Sequence, residues 1–372
     1  MILKNDTFAG LAKYLCENSK KIIVYGAGMI GEIIVPYILN KYELISNVEY
    51  YVDRDNVKQE KGIKIYNRNI QIKSLQYLIE NIQDEVLIIS NSKFYDVVDS
   101  LDKIKKLDDI EAYIIPVMQL NDYMYDDFNN ISISNESQIP KVINYCWFGN
   151  NKLPDNLKRC IDSWYKWCPD YQITLWNEEN FDINKHKYIK QAYEKGKYSF
   201  ASDMARFYIL YENGGIYLDT DVFMLKNFDD LLYQQGFIAT EKWGNVNSGG
   251  GCGFISKHPM VKEIIEYRKH FSFINSDGTM NIETNGVYET KIFMKYGYKP
   301  VNSIQRVNNV TVYPSCVFHP YDYVSQNNDI KDITHSVHMF DGGWMSDDDK
   351  INRKCTQNKY KSLINRMNNV KF

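Results

Sequence analysis

The 372-residue sequence is short of the residues that build flexible linkers, disulfide frameworks and membrane spans. Glycine (20) and proline (9) are both below average use, so no long flexible linker is expected. The seven cysteines are an odd number without C-x-x-C spacing, which excludes a zinc knuckle and a redox motif and favours reduced thiols in a cytoplasmic protein. No stretch approaches ~18 uncharged apolar residues, and the N-terminus is too polar for a signal peptide. Any attachment to a membrane is therefore expected to be peripheral.

Neither sign of charge dominates the chain. There are 44 basic and 47 acidic residues, which leaves a formal net charge of −3. This balance excludes a strongly basic nucleic-acid-binding protein and an acidic solvating tail. The 30 tyrosines are conspicuous, but they are spread over the whole chain and are attributed to composition.

Tryptophan and histidine are both missing from the first part of the chain, and this shift marks a domain boundary. All six tryptophans and all six histidines lie beyond residue 140. At roughly 100–200 residues per domain, the length also predicts two domains. We expect a first domain at 1–125, a polar connector at 126–138 and a second domain at 139–372.

The first domain alternates apolar strands with helical patterns, which predicts an α/β fold with a parallel, Rossmann-like sheet. A loop with Gly26, Gly28 and Gly31 follows the strand 21–25 and opens a helix, and Asp53 ends the next strand. In a dinucleotide fingerprint, the helix N-terminus binds phosphate and the acidic residue binds ribose. Binding of a nucleotide, with NAD possible, and a purely structural scaffold are equal alternatives. Redox catalysis is disfavoured, because the domain's only Y-x-x-x-K lies in the helix after the loop.

A helix with two opposed charges is predicted in the second domain. Ser202 as an N-cap and the Gly214-Gly215 pair as a stop predict a helix over 202–213. This helix places Asp203 and Arg206 on one face, three residues apart. By themselves the two side chains indicate only an ordinary surface ion pair.

Two carboxylates, Asp219 and Asp221, stand one residue apart at the end of the apolar strand 216–218. Strand alternation puts both on one face, where they would repel each other. A divalent cation would relieve that repulsion, and oxygen ligands suit Mg²⁺ or Mn²⁺. Such an ion would neutralise a diphosphate leaving group. A bare D-x-D is more often a strand that ends in a turn, so the functional interpretation depends on the wider pattern.

The wider pattern, S-D-x-x-R followed by G-G-I-Y-L-D-T-D-V over residues 202–222, resembles the signature of the DXD glycosyltransferases. The resemblance is to nucleotide-sugar-dependent enzymes of the GT-A fold, particularly glycosyltransferase family 32. That family includes capsular-polysaccharide transferases, and the catalytic domains of large clostridial glucosylating toxins share its core pattern. The likeness extends over roughly residues 139–344. It implies a GT-A type α/β catalytic domain and transfer of a sugar with retention of configuration.

The resemblance also implies a role for each matching residue. Asp221 would bind the metal directly, and Asp219 would contact both ribose and metal. Asp203 and Arg206 would hold the sugar hydroxyls and orient the donor, and Arg206 with the metal would stabilise the leaving diphosphate. No nucleophilic carboxylate is evident, so a covalent intermediate and same-face attack by the acceptor both stay open.

Four residues outside this stretch are implied as further contacts. Trp147 matches the tryptophan that stacks on uracil in the toxin relatives, which favours UDP over GDP, although a buried core position is the alternative. His338 stands six residues before Trp344, as in the family's H-x-x-x-x-S-W arrangement, and is the candidate third metal ligand. The serine of that arrangement is Gly343 here, and Trp344 is placed among the donor contacts. Asn247 begins a glycine run that would present backbone to the donor sugar or form a tight turn.

We therefore interpret the sequence as a metal-dependent, retaining glycosyltransferase that uses Mn²⁺ or Mg²⁺ and a nucleotide sugar, preferably a UDP-sugar. The expected setting is surface or capsular polysaccharide synthesis, with a lipid-linked or oligosaccharide acceptor at the inner face of the membrane. One alternative is a glycosylating effector that acts on a protein. Another is a sugar-nucleotide-binding protein with a degenerate transferase domain or an oxidoreductase-like first domain. The sugar, the linkage and the oligomeric state are left open.

Overall fold

The computed structural model describes residues 1–121, 134–241, 243–343 and 345–368. The described residues fall into two compact units, the first drawn from Met1–Tyr123 and Arg353–Phe372 and the second from Met124–Asn352. Most of the connector expected at 126–138 lies outside the described residues. The expected second domain, 139–372, differs from this division at its C-terminal end. The final helix returns to the first unit, where Lys359 Nζ lies 2.6 Å from Asp96 Oδ1 and Tyr360 packs on Phe94.

The first unit is built on a six-stranded parallel sheet, which confirms the prediction of an α/β fold with a parallel-sheet domain. Its strands run in the order β1-β8-β7-β2-β3-β6, and β4 and β5 form a separate hairpin. The order reverses between β2 and β7, which is where doubly wound sheets place ligand-binding loops. The elements are β1 (Ile2–Lys4), α1 (Phe8–Glu17), β2 (Ile22–Tyr25), α2 (Val35–Lys41), β3 (Val48–Val52), α3 (Asn56–Lys61), β4 (Ile63–Ile65), β5 (Arg68–Ile70), β6 (Ile72–Lys73), α4 (Leu75–Asn81), β7 (Val86–Ile89), α5 (Phe94–Leu101), β8 (Glu111–Ile114) and α6 (Ile115–Asn121).

The helix after the glycine loop does not begin as a regular α-helix. Residues Ile30–Ile34 form a π-helical turn, in which the N–H of Val35 donates to the carbonyl of Ile30. Pro36 follows directly and has no N–H to donate to the turn before it. The wider turn therefore stands where a regular ladder would lose a hydrogen bond.

The second unit is built on a mixed sheet with the order β10-β9-β11-β15-β13-β17-β16, and β14 pairs with β13. Strands β10, β9 and β11 are parallel, β15 is antiparallel to both β11 and β13, and β12 pairs with β18 in a separate ribbon. The elements are β9 (Val142–Cys146), α7 (Asp155–Trp167), β10 (Gln172–Trp176), α8 (Lys187–Glu194), α9 (Tyr198–Asn213), β11 (Gly215–Tyr217), β12 (Val222–Met224), β13 (Gly236–Thr240), β14 (Val246–Asn247), β15 (Cys252–Phe254), α10 (Pro259–Arg268), α11 (Asn285–Lys295), β16 (Gln305–Val307), β17 (Val310–Tyr313), β18 (Ser336–His338) and α12 (Asp347–Asn368).

The mixed sheet separates two hydrophobic cores, because successive side chains of a strand point to opposite faces. Tyr217 of β11 and Ile238 of β13 pack into one core together with the apolar side of α9. Ile216 and Phe237, their neighbours along the chain, pack into the other core with Trp164 of α7. Both faces of the central strands are covered, so their sequences are nearly continuous apolar runs.

Helix α9 begins one turn earlier than the sequence predicts. It runs from Tyr198, and the Ser202 hydroxyl donates to the Tyr198 carbonyl within the helix instead of capping it. The extra turn is stabilised by packing, because Phe200 and Ala201 are both buried in the core. The predicted end is correct, since Gly214 has a φ of 69°, a conformation that favours glycine.

Two further features concern the expected cellular setting. All seven cysteines are free thiols. Within the described parts of the chain, no helix combines the length and the hydropathy that a bilayer-spanning segment needs.

Candidate metal and donor site

The Asp219-Thr220-Asp221 sequence lies in a turn between β11 and β12 and not in a strand. The N–H of Val222 donates to the Asp219 carbonyl at 3.1 Å and closes the turn. The explanation by strand alternation is therefore wrong, because a turn and not a pleat brings the two carboxylates together. Each aspartate is also anchored through its backbone: Asp219 N donates to Gly249 O at 2.9 Å, and Met339 N donates to Asp221 O at 3.0 Å.

His338 joins the two carboxylates although it lies more than a hundred residues further along the chain. Strand β18 pairs with β12 so that His338 stands opposite Val222, directly after the turn. His338 Nε2 lies 3.3 Å from Asp221 Oδ1, and ligand atoms of Asp219, Asp221 and His338 all lie within 4.8 Å of one another. Two carboxylates and an imidazole suit a divalent cation such as Mn²⁺, and the structure brings together the three residues that the resemblance implies as ligands.

The local environment shifts the pKa values of the two aspartates in opposite directions. Burial alone would raise the pKa of Asp221, but the charge and hydrogen bond of His338 and the N–H of Asp341 lower that pKa to about 2. Burial raises the pKa of Asp219, and the positive charge of Arg206 offsets only part of this rise. Asp221 is thus held as a carboxylate, whereas the ion pair with Arg206 does not bring the pKa of Asp219 down to its ordinary value.

Arg206 projects from α9 beneath the turn, with only 3% of its side chain exposed. One terminal nitrogen, Nη2, lies 2.6 Å from Asp203 Oδ1 and 3.0 Å from Asp219 Oδ1, and Nη1 donates to the Ser248 hydroxyl at 3.1 Å. The guanidinium also lies over the Tyr217 ring, 4.6 Å from its centroid. Burial alone would lower the pKa of Arg206, but the surrounding acidic groups outweigh this effect and raise the pKa well above its ordinary value. The guanidinium therefore stays charged. The interpretation as an ordinary surface ion pair is wrong, because the guanidinium is buried.

Asp203 completes the carboxylate side of the site. Burial raises its pKa to about 6, even though the positive charge of Arg206 acts in the opposite direction. A second buried guanidinium, that of Arg268, donates to the backbone carbonyl of Asp203 at 3.0 Å. Asp203 is thus held from both its side chain and its backbone.

A buried polar network behind Arg206 has no counterpart in the sequence motifs. Glu289 of α11 accepts hydrogen bonds from the Ser248 hydroxyl at 2.6 Å, from Ser248 N at 2.8 Å and from the Asn285 amide. Asn285 Oδ1 in turn accepts from Arg268 at 2.6 Å. Burial raises the pKa of Glu289 to about 7. The only sequence signal is the i, i+4 spacing of Asn285 and Glu289, which places them on one helix face without indicating what they contact.

His319 is a second neighbour of the site, and the sequence assigns it no functional role. Its Nε2 lies 3.0 Å from the Asn247 carbonyl, and its Nδ1 lies 3.3 Å from Nδ1 of His338. Burial lowers the pKa of His319 to about 3, with a further contribution from the charge of His338. His319 therefore lies directly behind the candidate metal ligand.

The other donor contacts implied by the resemblance are only partly described. Trp147 follows β9 directly and is half-buried, and its indole N–H donates to the Asn151 carbonyl at 2.7 Å. Asn247 ends β14, and its side-chain oxygen accepts from Gly249 N at 2.8 Å, which is the tight turn expected as its alternative role. Trp344 lies outside the described residues.

Backbone polar groups of the glycine loop in the first unit form hydrogen bonds with side chains of the same unit. Asp53 Oδ2 accepts from the N–H of Ala27 at 2.8 Å, and Lys58 Nζ donates to the Ala27 carbonyl at 2.7 Å. A Cβ on Gly31 would lie 2.0 Å from the Gly26 carbonyl oxygen, so this glycine permits close packing of helix on loop, whereas Gly28 has no such neighbour within 4 Å. Asp53, expected to bind ribose, thus holds the loop itself.

The comparisons with known proteins agree with the residues of the second unit. Residues 154–238 match the family model described as the glycosyltransferase sugar-binding region containing the DXD motif. This match includes Asp203, Arg206, Asp219 and Asp221, and it confirms the resemblance from which the sequence interpretation started. The chain contains a DXD-type glycosyltransferase region.

The chain is also similar to several named proteins. It is 31% identical over 157 residues to inositol phosphoceramide mannosyltransferase 3 of Schizosaccharomyces pombe, which covers 40% of this chain and 42% of that protein. It is 30% identical over 145 residues to a mannosyl phosphorylinositol ceramide synthase of Saccharomyces cerevisiae, with 36% of each chain covered. The chain thus spans less than half the length of these two relatives. A solved glycosyltransferase involved in the glycosylation of the major capsid of PBCV-1 has 13% identity and a TM-score of 0.35, over 59% of this chain and 99% of that one.

Proposed function

We propose that the second unit catalyses metal-dependent transfer of a hexosyl group from a nucleotide sugar to a saccharide-bearing acceptor. The observation that carries this proposal is the convergence of Asp219, Asp221 and His338, whose ligand atoms lie within 4.8 Å of one another. The buried guanidinium of Arg206 stands beside this cluster, 3.0 Å from Asp219 Oδ1. A cation position next to a fixed positive side chain is what a departing diphosphate requires.

The charge of the site also supports a divalent cation. Asp219 and Asp221 are separated by one residue, and among the described residues His338 is the basic side chain that pairs with Asp221. Burial raises the pKa of Asp219, because removing a carboxylate from water carries a free-energy cost. A bound Mn²⁺ or Mg²⁺ would offset this cost, because it would place positive charge against both carboxylates.

Each residue of the site would have a distinct role in the transfer. Asp219, Asp221 and His338 would hold the cation, which when bound supplies positive charge to the donor's diphosphate. Arg206, fixed by Asp203 and the Ser248 hydroxyl, would add a second positive charge in an orientation that needs no rearrangement. During transfer, the bond from the sugar C1 to the diphosphate oxygen breaks, and the acceptor hydroxyl oxygen bonds to C1 as its proton is released. The family resemblance favours retention of configuration at C1.

The donor and acceptor are proposed by class. One fungal relative is named an inositol phosphoceramide mannosyltransferase and another a mannosyl phosphorylinositol ceramide synthase, which favours a hexose such as mannose and a lipid-linked acceptor. The match of Trp147 to a uracil-stacking position favours a uridine nucleotide. We therefore propose a nucleotide-linked hexose, preferably UDP-linked, as donor and a lipid-linked or oligosaccharide acceptor, in surface glycan assembly at a membrane face.

A panel of nucleotide sugars tests the proposal. Purified full-length protein is incubated with UDP-glucose, UDP-galactose, their N-acetyl forms and GDP-mannose, and released nucleotide is measured with Mn²⁺ and with EDTA. We expect nucleotide release from one donor class, loss of release under EDTA, and recovery when Mn²⁺ is restored. Failure to release nucleotide from any donor, or undiminished release under EDTA, would overturn the proposal.

Asp221→Asn sharpens the same assay. This change removes a charged ligand, and we expect transfer and donor hydrolysis to fall at least about 100-fold, in line with the loss of a metal-held transition-state charge. Asp230→Asn is the matched control, because Asp230 Oδ1 also pairs with a histidine, His335, at 2.7 Å but lies outside the cation cluster. Full activity in Asp221→Asn, or equal loss in both variants, would contradict the assignment.

A further inference from the structure

We propose that His319 is a positioning residue for the candidate metal ligand His338. It accepts a hydrogen bond from the Nδ1–H of His338 and so leaves His338 Nε2 as the atom that faces the cation. The inference rests on the proposed function, because it concerns the same site. It goes beyond that function in assigning a role to a histidine that the family-model match over residues 154–238 does not include.

The proton of His319 is placed by its environment. His319 Nε2 lies 3.0 Å from the backbone carbonyl of Asn247. A carbonyl oxygen only accepts, so Nε2 must carry the hydrogen. The ring lies close against Gly250, since a Cβ on that residue would lie 2.3 Å from its Cε1. In the neutral ring, Nδ1 of His319 is then left with a lone pair.

The lone pair of His319 determines which nitrogen of His338 is protonated. The two Nδ1 atoms lie 3.3 Å apart, which is hydrogen-bond distance only if one of them carries a hydrogen and the other does not. Since His319 Nδ1 accepts, His338 Nδ1 donates. The opposite nitrogen, His338 Nε2, lies 3.3 Å from Asp221 Oδ1 and within the cluster of ligand atoms.

The arrangement forms a chain from backbone to cation position: the Asn247 carbonyl, the His319 ring and then the His338 ring. Metal-binding histidines usually donate their second N–H to a carbonyl or carboxylate, which fixes the protonated nitrogen and the ring orientation. Here a neutral imidazole takes the place of that acceptor, and a carbonyl holds the imidazole. Phe340 stacks on the His338 ring at 4.1 Å between centroids and restricts its rotation further.

Nitrogen NMR of the holoprotein tests the protonation pattern directly. The protein is labelled with ¹⁵N-histidine and loaded with diamagnetic Mg²⁺, and the ring signals are assigned with His319→Gln and His338→Gln. We expect the proton of His338 on Nδ1 and that of His319 on Nε2. A proton on Nε2 of Mg²⁺-loaded His338, or on Nδ1 of neutral His319, would overturn the inference.

The affinity for Mn²⁺ provides a second readout. His319→Phe keeps an aromatic ring but removes the acceptor, and we expect Mn²⁺ binding to weaken about 10–100-fold, the usual effect of losing a hydrogen-bond partner of a metal ligand. His319→Gln keeps a donor and an acceptor and should lose less. His258→Phe is the control for a buried histidine in the same unit, and it should leave Mn²⁺ affinity unchanged. Unaltered affinity in His319→Phe would overturn the inference, as would an equal loss in His258→Phe.

Different results would overturn the role of His319 and the proposed transferase activity. A wild-type protein that hydrolyses a nucleotide sugar but shows the opposite protonation pattern overturns the role of His319 alone. A wild-type protein with the expected pattern and Mn²⁺ affinity, but without nucleotide release from any donor, overturns the proposed function alone.

Discussion

Gly249 is the residue that leaves room for the ligands on both sides of the proposed cation position. A Cβ at this residue would lie 2.3 Å from Asp219 Oδ2 and 3.1 Å from His338 Cε1. Its carbonyl also accepts the hydrogen bond from Asp219 N at 2.9 Å. The close approach of two side chains, and not an unusual backbone dihedral, therefore requires glycine here.

Gly249→Ala should displace Asp219 without unfolding the chain. We expect Mn²⁺ affinity to fall about 10–100-fold, because one carboxylate ligand is pushed from its position. Isothermal titration with Mn²⁺ measures the effect. Gly28→Ala is the control, since a Cβ at Gly28 meets nothing within 4 Å, and it should bind Mn²⁺ as the wild type does. An undiminished affinity in Gly249→Ala would show that Asp219 is not a ligand.

The sequence identifies some residues of the candidate site and misses others. Asp219 and Asp221 were identified because a local pattern carries the resemblance. Glu289 and His319 were not, since their partners Ser248 and Asn247 lie 41 and 72 residues away along the chain. Contacts of that range leave no local pattern, and only the fold shows them.

At the scale of single elements, helix α9 positions Asp203 and Arg206, and its end depends on Gly214. This residue has a φ of 69°, and a Cβ there would lie 2.7 Å from the N atom of Ser256. Gly196, after α8, has a similar φ of 66° but no neighbour within 4 Å. A comparison of substitutions at the two glycines therefore separates the effect of backbone strain from the effect of steric overlap.

Alanine at these two glycines should destabilise the protein to different extents. Gly196→Ala should lower the free energy of unfolding by about 1–2 kcal/mol, the cost of a left-handed conformation with a Cβ. Gly214→Ala should lose more, because the added methyl group also meets the backbone of the strand-to-helix connection. Urea denaturation measures both values. Equal losses would mean that the close approach at Gly214 is relieved without cost.

Helix α10 should make the stability of the second unit depend on pH. Its N-cap, His258, accepts from Met260 N through Nδ1 and is fully buried. Burial, with a smaller effect of the positive charge of Arg306, lowers its pKa from 6.5 to about 4. The folded state thus prefers neutral His258, so its stabilising effect is complete above pH 6.5 and is lost as the pH falls towards 4.

The comparison of wild type with His258→Asn isolates this effect. Asparagine keeps a capping acceptor but does not titrate in this range. We expect the difference in free energy of unfolding between the two proteins to shift by about 2 kcal/mol against the wild type between pH 7.5 and pH 5. Denaturant curves at the two pH values measure it. A constant difference would contradict the neutral state of His258.

Elements buried on both sides are the ones whose bounds the sequence predicts well. The strand predicted at 21–25 is observed at Ile22–Tyr25, and the apolar run Val86–Ile89 is likewise a strand. Both are continuous apolar runs because helices cover both faces of the sheet. The predicted start of α9 is wrong by four residues, since tertiary packing of Phe200, and not a capping residue, decides where the helix begins.

At the scale of the whole molecule, the chain carries its DXD region in the second unit and returns to the first unit at its C-terminal end. The shift in tryptophan and histidine content predicts the first boundary, because each unit has its own composition. It does not predict the return, since α12 is polar along most of its length. Only Tyr360, Leu363 and Met367 are buried on it, and their spacing predicts a helix without indicating its partner.

The most direct test of the proposed cation site is a titration of the wild-type protein with Mn²⁺, with and without a nucleoside diphosphate. Electron paramagnetic resonance of the free ion monitors the titration. We expect one Mn²⁺ per chain, tighter binding when the diphosphate is present, and loss of this site in Asp221→Asn but not in Asp230→Asn. Absence of stoichiometric binding in the wild type, or binding retained in Asp221→Asn, would contradict the central claim that Asp219, Asp221 and His338 hold a catalytic cation.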